Sequence, residues 1–532
     1  MKAKMVKKVV SALMAAVLTA GLLTGCGSGK AAGTDSQAGS DSGGEKAKDP
    51  VTLEWYYAGN GIQADTQKVE DYVNELLKDY KGLEHVSVKM NCILANDYPQ
   101  QVLLAQTSGK KMDIIQTYRL DYVTEIRNGT FLPIDDYLNS DEFAALKNEL
   151  PQWLWQSLKV DGATYIVPNY QIGATDRYIF IPKDYLQYAD VEKLKKLNLT
   201  DSASIIELSD EIANITRAVN AAEGTNKYAY PSGESIATAF TYFHQDVIDR
   251  NSGFIMRDGE KIKNLYLDDA FKEASRIAAE WVEEGLLPSD AAVQDRQAWE
   301  GKNLLNDNAY AVMVAQAYGT EEQVSAQKSS DWGIEVEAIR LHDHYFMING
   351  WGAGGNGVAA ASEHPEEALK FIEALNTEKG KDIYNAVVYG LEGIHYEKVD
   401  DTHIKTLEYE GTQGLSDSSY AAWKWVIGNT KYAYLNQGCI EGDMEIVASI
   451  NEDPENVISQ MMGFRVNMDP VATEVSQCAA VVAEYRDALM WGSLGAGWET
   501  YYDEFAAKME AAGVQKAIDE FQKQYDTWKA EQ

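Results

Sequence analysis

The sequence predicts an α/β protein with two lobes, and three observations support this fold class. The chain has 532 residues, which is longer than one hydrophobic core usually supports and favours two domains. Its first ordered stretch alternates strand and helix patterns in the order βαβαβ, which is typical of a parallel sheet covered by helices. Two extended runs, 162–171 and 177–181, then follow each other without a helix between them. They predict a hinge of strands that crosses from one lobe to the other.

The opening elements follow from residue type and spacing. Residues 51–57 are rich in β-branched and aromatic side chains and predict the first strand. Apolar residues at spacings of three and four between Val69 and Tyr80 predict a helix. Residues 86–93 and 113–116 predict the second and third strands, with a helix over 98–106 between them. A single helix is predicted over 141–158.

The later elements are predicted in the same way. Helices are expected over 201–220, 267–285 and 364–378, and extended segments over 309–314, 332–338 and 345–351. After Tyr389 the chain is expected to be helical to its end. The final helices carry one apolar stripe, formed by Tyr501, Phe505, Met509, Ile518, Phe521, Tyr525 and Trp528.

Composition and charge narrow the classes of partner. With 45% hydrophobic and 24% charged residues the chain is globular in composition. A formal net charge of −35 repels phosphate backbones and anionic lipid, which argues against nucleic acid and favours neutral or cationic ligands. The four cysteines include no CxxC pair, so neither a disulfide framework nor a thiolate metal site is expected. A Cys439–Cys478 bridge is left open.

The N-terminus has the pattern of an export signal. Residues 1–8 carry four lysines, residues 9–23 are apolar and uncharged, and Leu23-Thr24-Gly25-Cys26 follows. The apolar run is short for a membrane-spanning helix, which needs about 20 residues. The last four residues resemble the bacterial lipobox, in which the cysteine thiol receives a lipid and the signal is cut before it. We therefore expect a lipoprotein signal over 1–26 and, from its Gly, Ser and Ala content, a flexible linker over 27–50.

Several short motifs stand in a characteristic order after the linker. They are TLEWYY at 52–57, YPQQ at 98–101, SG at 108–109 with DII at 113–115, GTFLPI at 129–134, GATYIVP at 162–168 and YGLEGIHY at 389–396. Together with the lipobox, this order resembles the extracellular solute-binding proteins of ABC importers, family 1, of the sugar-binding type. Within that family it is most similar to the lipoprotein branch of Gram-positive bacteria.

The resemblance implies a periplasmic-binding-protein-like fold, with two lobes around a ligand cleft. Lobe 1 would comprise 51–168 and 345–386, lobe 2 would comprise 172–338 and 400–500, and 501–532 would form C-terminal helices. The chain would cross between lobes near 168–171 and 335–343. The implied function is capture of a carbohydrate, most often an oligosaccharide, by a monomer on the extracytoplasmic face of the cell membrane. Delivery would be to the permease subunits of an ABC transporter, and the lipid would be the sole membrane contact.

Candidate ligand contacts come from the rule that sites in α/β sheets lie at the carboxyl ends of strands. Sugar recognition needs aromatic faces for the ring and planar polar groups for the hydroxyls. The resemblance points to the same loops and to the aromatic residue at 318, where many sugar binders have Trp. The candidates are Tyr57, Asn60, Gln116, Tyr118, Arg119, Asp121, Asn169, Tyr170, Gln171, Gln316, Tyr318 and Trp351. The tryptophans at helical packing spacings are expected in the core, namely Trp153, Trp155, Trp423, Trp425 and Trp528.

Catalytic signatures are weak. Residues 352–357 match GxGxxG but stand far from an opening βαβ unit, so a glycine-rich turn near the cleft is the better interpretation. His342 and His344 lack a third metal ligand at a suitable spacing. We predict no catalytic residues, no cofactor and no metal. Two alternatives stay open: a binding protein for a peptide, polyamine or phosphorylated solute, and a secreted glycoside hydrolase with a carboxylate pair among the 82 acidic residues.

Overall fold

A computed structural model of the chain describes residues 48–199, 202–229, 246–257, 260–293, 310–342, 344, 346–347, 354–407, 419–436 and 443–531. The predicted signal peptide, Cys26 and nearly all of the predicted linker lie outside these residues. The strands are β1 Val51–Gly59, β2 Val86–Leu94, β3 Ile114–Gln116, β4 Ile166–Pro168, β5 Ala174–Pro182, β6 Asp246–Asp249, β7 Phe254–Arg257, β8 Lys261–Asn264, β9 Met313–Ala317, β10 Val336–Arg340, β11 Phe346–Met347, β12 Gly355–Val358, β13 Tyr396–Lys398, β14 His403–Thr406, β15 Leu435–Asn436 and β16 Val457–Ile458.

Helices surround these strands. The α-helices are Thr66–Leu77, Tyr98–Thr107, Tyr122–Arg127, Asp135–Leu138, Ala144–Glu149, Gln152–Ser157, Val191–Leu194, Ser202–Glu223, Asp269–Glu284, Glu321–Trp332, Pro365–Ala374, Lys381–Tyr389, Lys424–Ile427, Asp443–Asn451, Ala472–Met490, Trp498–Ala511 and Val514–Ala530. Short 3-10 turns occur at Asp141–Phe143, Lys183–Tyr188, Leu265–Leu267, Ala291–Val293, Glu378–Gly380, Thr430–Tyr432, Asp469–Val471 and Gly495–Gly497.

The first sheet has the strand order β2-β1-β3-β12-β4. β1 pairs in parallel with β2 and β3, so the predicted βαβαβ opening is confirmed. Side chains alternate across the sheet, as the pleat of a strand requires. Leu53 and Trp55 pack on one face with Phe371, whereas Ala58 packs on the other face with Phe131. Both faces therefore carry apolar packing, although β2 at the edge of the sheet alternates buried with more exposed residues.

The second sheet has the order β10-β5-β11-β16, with β9 also paired to β5. β5 is antiparallel to β9, β10 and β11. Its core is apolar and includes the predicted C-terminal stripe: Phe505, Met509, Phe521 and Tyr525 are fully buried there. Phe521 meets Phe254 of β7 edge to face, with 5.2 Å between ring centroids. Two three-stranded sheets, β6-β7-β8 and β13-β14-β15, complete the described strands.

The chain passes between the two large sheets along short segments. Residues 169–173 connect β4 of the first sheet to β5 of the second. β10, which occupies most of 335–343, pairs with β5 within the second sheet, and the return to the first sheet falls between β11 and β12. The chain comes back to the second sheet at β16, which pairs in parallel with β11.

Several predicted elements differ from the structure. The helix expected over 141–158 is interrupted at Pro151, whose ring is tolerated before a helix but not inside one. The strand expected over 309–314 begins at Met313, and 332–338 holds a helix end before β10. The expectation of helix throughout the chain after Tyr389 is wrong, because β13 to β16 and irregular segments precede the final helices.

Two further features bear on the sequence predictions. Among the described residues, no helix combines the length and the apolar character needed to cross a bilayer. Cys92 and Cys478 are buried free thiols, and burial raises the pKa of each to about 11. Cys439 lies outside the described residues. The structure thus leaves Cys478 unbridged.

Candidate functional site

Two of the candidate ligand contacts lie inside the first sheet. Gln116, the last residue of β3, is fully buried. Its Oε1 accepts a hydrogen bond from the Ala58 N–H at 2.9 Å, and its Nε2 donates to the Val426 carbonyl. Tyr57 stacks on Trp55 with 4.2 Å between ring centroids, and burial raises the pKa of its hydroxyl. The Gln116 amide therefore ties β1 and β3 to the chain segment that contains Val426.

Asn60, just after β1, holds an aromatic residue in place. Its Nδ2 donates to the Ala421 carbonyl at 3.1 Å, and its Oδ1 accepts from the Trp423 indole N–H at 2.9 Å. Trp423 in turn meets Tyr118 edge to face, with 6.1 Å between ring centroids and 83° between the planes. Both rings are partly exposed. Tyr118 in the loop after β3 thus forms an aromatic pair with Trp423, which Asn60 holds at the carboxyl end of β1.

The other two candidates after β3 have local roles. Arg119 is exposed, has a positive φ of 71°, and places its guanidinium 5.2 Å from the centroid of the Tyr118 ring. Asp121 caps the helix Tyr122–Arg127: its Oδ1 accepts from the Thr124 N–H at 3.3 Å and its Oδ2 from the Thr124 hydroxyl at 2.7 Å. Asp121 therefore fixes the entry of the helix beside Tyr118.

Asn169 is the most unusual polar residue of the set. It follows β4 at the start of the segment that leads to the second sheet, and only 1% of its surface is exposed. Its backbone N–H donates to the Gly354 carbonyl at 3.0 Å. Neither side-chain amide atom has a hydrogen-bond partner within the described part of the chain. A buried amide without partners is costly, so it is a natural contact for a polar ligand.

Tyr170 and Gln171 continue this segment. The Tyr170 carbonyl accepts from the N–H and the hydroxyl of Thr430, at 2.9 and 2.8 Å. The Gln171 carbonyl accepts from the Asn451 side-chain amide at 2.9 Å. Desolvation raises the pKa of the buried Tyr170 hydroxyl. Backbone bonds to residues distant in sequence therefore hold the crossing segment.

Tyr318, just after β9, contributes a second aromatic pair. Its ring meets Trp425 edge to face, with 6.4 Å between centroids and 81° between the planes. The ammonium of Lys424 lies 4.4 Å from the centroid of the Trp425 indole. β9 belongs to the second sheet, whereas the helix Lys424–Ile427 is bonded to the first sheet through Val426. The Tyr318–Trp425 pair thus joins elements of both sheets.

Two candidates lie partly or wholly outside the described residues. Gln316 lies in β9 opposite Arg177 of β5, but its side chain is outside the described residues. Trp351 is outside them entirely.

Sequence reasoning missed the role of two tryptophans. Trp423 and Trp425 were expected in the core, and both pack half-buried against apolar clusters, but each also forms one of the two aromatic pairs. They flank the start of a helix of only four residues, so packing spacings on a long helix do not apply. The pattern Trp-Lys-Trp, with a cation between two aromatics, was the available signal. Of the other three, Trp155 is buried, and Trp153 and Trp528 pack partly buried against the cores.

The arrangement offers side chains that can contact a polar ligand. Among the described residues, no three His, Cys, Asp or Glu side chains gather in a way that could hold a metal ion. Aromatic rings with polar edges and an unpaired buried amide are groups that contact sugar rings and hydroxyls. The two aromatic pairs and Asn169 constitute the candidate site.

Comparison with sequences of known proteins gives two matches. Residues 460–530 match the model of a family described as a domain of unknown function, DUF3502. A carbohydrate ABC transporter substrate-binding protein from Streptococcus pneumoniae serotype 4 is 26% identical to this chain over 273 residues. The alignment covers 51% of this chain and 52% of that protein, so the chain matches about half the length of this curated relative.

Solved structures match over a larger share of the chain. An N-glycan transport solute binding protein from Streptococcus pneumoniae superposes with a TM-score of 0.70 at 19% identity, covering 90% of this chain and 99% of its own. A solute-binding protein from Bifidobacterium longum infantis, described as HMO binding and associated with an ABC transporter, gives 0.58 at 15% identity, covering 90% and 99%. The chain has the fold of a two-domain solute-binding protein. The predicted fold class and the resemblance to solute-binding proteins are thereby confirmed.

Proposed function

We propose that the chain is a lipid-anchored, extracytoplasmic solute-binding protein that captures an oligosaccharide and delivers it to an ABC permease. The Tyr318–Trp425 pair carries this proposal, because it brings together an aromatic residue that follows a strand of the second sheet and one on a helix bonded to the first sheet. A ligand lying against both rings would contact both of these regions at once. It would then stabilise the closed state over the open state, which a permease can recognise.

Further observations support a carbohydrate ligand. The Tyr118–Trp423 pair offers a second aromatic surface, and the Asn169 amide offers a donor and an acceptor that have no partner among the described residues. The net charge of −35 favours a neutral ligand over an anion. Solved structures with the same fold include complexes with Man5GlcNAc and Man1GlcNAc, at 18% and 19% identity. Mannose-containing oligosaccharides are therefore the first members of a test panel.

Isothermal titration of the purified protein against neutral oligosaccharides of different length and linkage tests the ligand class. We expect at least one oligosaccharide to bind and its monosaccharide units to bind more weakly, because a single sugar ring makes fewer contacts with the aromatic side chains. Binding of a peptide or polyamine with no response to any oligosaccharide would contradict the carbohydrate assignment. Native mass spectrometry of the purified protein would reveal such a ligand directly.

Replacement of the aromatic residues tests the site. Tyr318→Ala and Trp425→Ala should each weaken oligosaccharide binding about tenfold or more, equivalent to about 1.4 kcal/mol. Tyr72→Ala is the matched control, because Tyr72 is 39% exposed on the helix Thr66–Leu77 and belongs to neither pair. Wild-type affinity in both site variants would remove this pair from the site.

Two measurements address the remaining alternatives. Incubation with a labelled oligosaccharide should return it unchanged, since we propose a carrier without catalytic residues; shortened products would indicate a glycoside hydrolase. Cys26→Ala in the full-length precursor should release the protein from the membrane fraction into the medium. Retention of this variant in the membrane would argue against lipid attachment at Cys26.

A further inference from the structure

The YGLEGIHY motif at 389–396 lies outside the candidate site but is built around one buried histidine. The His395 side chain is fully buried. Its Nδ1 accepts a hydrogen bond from the Leu391 N–H at 2.8 Å, so the ring proton must reside on Nε2. Nε2 therefore donates to Oδ2 of Asp65 at 3.3 Å. These two bonds fix His395 as the neutral imidazole in a single tautomer.

The glycine at 390 makes this geometry accessible. Gly390 has a φ of +80°, and a Cβ at this position would lie 2.4 Å from Nδ1 of His395. A side chain would therefore displace the imidazole as well as strain the backbone. The spacing from Gly390 to His395 thus shapes a turn that closes on the histidine ring.

Asp65 connects this turn to a second segment of the chain. Its Oδ2 accepts from the Ser419 hydroxyl at 2.7 Å in addition to the bond from His395. Its Oδ1 pairs with the Lys68 ammonium at 2.6 Å. The carboxylate therefore holds the start of the 419–423 segment against the loop that follows β1.

Hydrogen bonds continue from Ser419 to the aromatic pair. Gln63 exchanges two bonds with Ala421: its Nε2 donates to the carbonyl at 2.8 Å and its Oε1 accepts from the N–H at 3.1 Å. Asn60 then bonds to both Ala421 and the Trp423 indole. A continuous set of polar contacts thus links the imidazole of His395 to the ring that meets Tyr118.

We propose that His395 is a positioning residue for ligand binding, which holds Trp423 in the orientation that contacts the ligand. The inference rests on the proposed function, since it assigns Trp423 to the same site. His395 acts through Asp65, the 419–423 segment and Asn60, and does not itself touch the ligand. The same contacts make the position of Trp423 sensitive to protonation of the imidazole.

The charged and titratable groups around the imidazole define that sensitivity. They are Asp65, Lys68 and Tyr420. Asp65 directly precedes the helix Thr66–Leu77, which carries Lys68, and the ring centroid of Tyr420 lies 5.9 Å from that of His395. Protonation of Nδ1 would place its N–H against the Leu391 N–H and abolish that bond. Because the Lys68 ammonium already pairs with the Asp65 carboxylate, this carboxylate stabilises a protonated His395 less than a free carboxylate would. Acid should therefore release the turn and loosen the 419–423 segment.

Hydrogen exchange of the ligand-free protein tests the positioning without any ligand. His395→Ala should accelerate amide exchange in peptides that cover 419–423, with little change in peptides of β5 and β10. His403→Ala is the control, because His403 pairs with Asp400 on β14 near the surface. Unchanged exchange over 419–423 in His395→Ala would overturn the proposal. Ser419→Ala provides the same readout if His395→Ala does not fold.

Titration with the best oligosaccharide ligand tests the consequence for binding. His395→Ala should bind about tenfold more weakly than wild type, the loss expected when a bonded segment is freed. His395→Gln, which keeps a donor and an acceptor but cannot be protonated, should retain most of the affinity. Wild-type affinity should fall as the pH drops through the pKa of His395, which burial lowers from its ordinary value, and that of His395→Gln should not. Equal pH profiles would contradict the proposal.

The outcomes separate the two proposals. If no oligosaccharide binds the wild-type protein but His395→Ala still loosens 419–423, the ligand assignment fails and the positioning stands. If oligosaccharides bind and the exchange of 419–423 is the same in wild type and variant, the positioning fails and the carbohydrate function stands.

Discussion

The regions around the two large sheets are held together in different ways. At the carboxyl edge of the first sheet, polar side chains are fully buried and bonded to the chain segment at 423–430. Asn356 of β12 accepts from the Trp55 indole at 3.0 Å and donates to the Ile427 carbonyl at 3.0 Å. Gln116 makes the equivalent pair of bonds to Ala58 and Val426. Directional bonds thus define where this segment lies.

The second sheet is stabilised mainly by apolar packing. Its core brings together strands β5, β7, β9 and β10, two long helices and the C-terminal helices. The rings of Phe180, Phe505 and Phe521 are fully buried in this core. Such burial is strong but carries little directional information.

The difference separates stability from site geometry. Apolar packing around the second sheet supplies a rigid body from which β9 presents Tyr318. The buried side-chain amides of the first sheet fix the segment that carries Trp423 and Trp425, since each of their hydrogen bonds has a required direction. Substitutions in the second core should therefore lower stability with little selective effect on binding. Substitutions among the amides should affect both.

The largest effect is expected in the second core. Phe521→Ala removes a fully buried ring that packs on Phe254, and should lower the free energy of unfolding by about 3–5 kcal/mol. Urea denaturation measures this, with Tyr72→Ala as a surface control. The folded fraction should still bind oligosaccharide with wild-type affinity. A loss of oligosaccharide affinity in folded Phe521→Ala would contradict the claim that packing of the second core affects stability and not binding.

Arg465 offers a test of the contact between the two regions. It lies near the start of the DUF3502 match, next to Phe464 of the second core, and reaches residues near the first sheet. Its Nε donates to the Tyr122 hydroxyl and its Nη2 to the Ser157 carbonyl. Arg465→Ala should cost about 1.5–3 kcal/mol, the range for hydrogen bonds to charged groups.

Arg217→Ala is the matched control for this variant. Arg217 pairs with Glu284 on the surface, where such ion pairs contribute less than about 1 kcal/mol. If the two substitutions lowered the unfolding free energy equally, Arg465 would be no more than another surface cation. Small-angle scattering of ligand-free Arg465→Ala should also show a larger radius of gyration, because one contact between the regions is lost.

Asn356→Ala tests the buried amides of the first sheet. The substitution leaves the Trp55 indole N–H and the Ile427 carbonyl without partners, which should cost about 1–3 kcal/mol. Oligosaccharide affinity should fall as well, since the helix Lys424–Ile427 loses an anchor. Asn128→Ala, at an exposed amide after the helix Tyr122–Arg127, should change neither quantity appreciably. Lower stability with unchanged affinity would limit the role of Asn356 to the fold.

The sequence was most informative where structure depends on neighbours in the chain. The opening strands lie within two residues of their predicted bounds and the opening helices within three, because strand alternation and helical spacing are local patterns. The apolar stripe of the final helices also packs into the second core. Pro151, which interrupts a predicted helix, was also a local signal and was overlooked.

Prediction failed where residues depend on partners far along the chain. β13 to β16 have two to four residues each and show no periodicity, so a helical interpretation after Tyr389 had nothing to contradict it. The roles of Trp423 and Trp425 depend on Asn60, Gln116 and Tyr318, which are more than 100 residues away in sequence. For Asn169, the sequence indicated the loop but not the burial, which leaves its amide without partners among the described residues.

The smallest effect concerns the pH dependence of stability and should arise on the first-sheet side alone. Burial lowers the pKa of His395 in the folded chain from its ordinary value of 6.5. Between the folded and the unfolded pKa, the unfolded chain binds a proton more readily than the folded chain. Its contribution to the free energy of unfolding should be complete above about pH 6.5 and decline as the pH falls through the folded pKa. The Lys68 ammonium and the Ser419 hydroxyl lower the pKa of Asp65 below 3.8, so that group acts in a separate, more acidic range. Thermal unfolding over pH 4.5–7.5 should therefore show an unfolding temperature that rises with pH in wild type. This rise should be smaller in His395→Gln and unchanged in His403→Ala. If His395→Gln kept the full rise, the pH dependence of stability would come from groups other than His395.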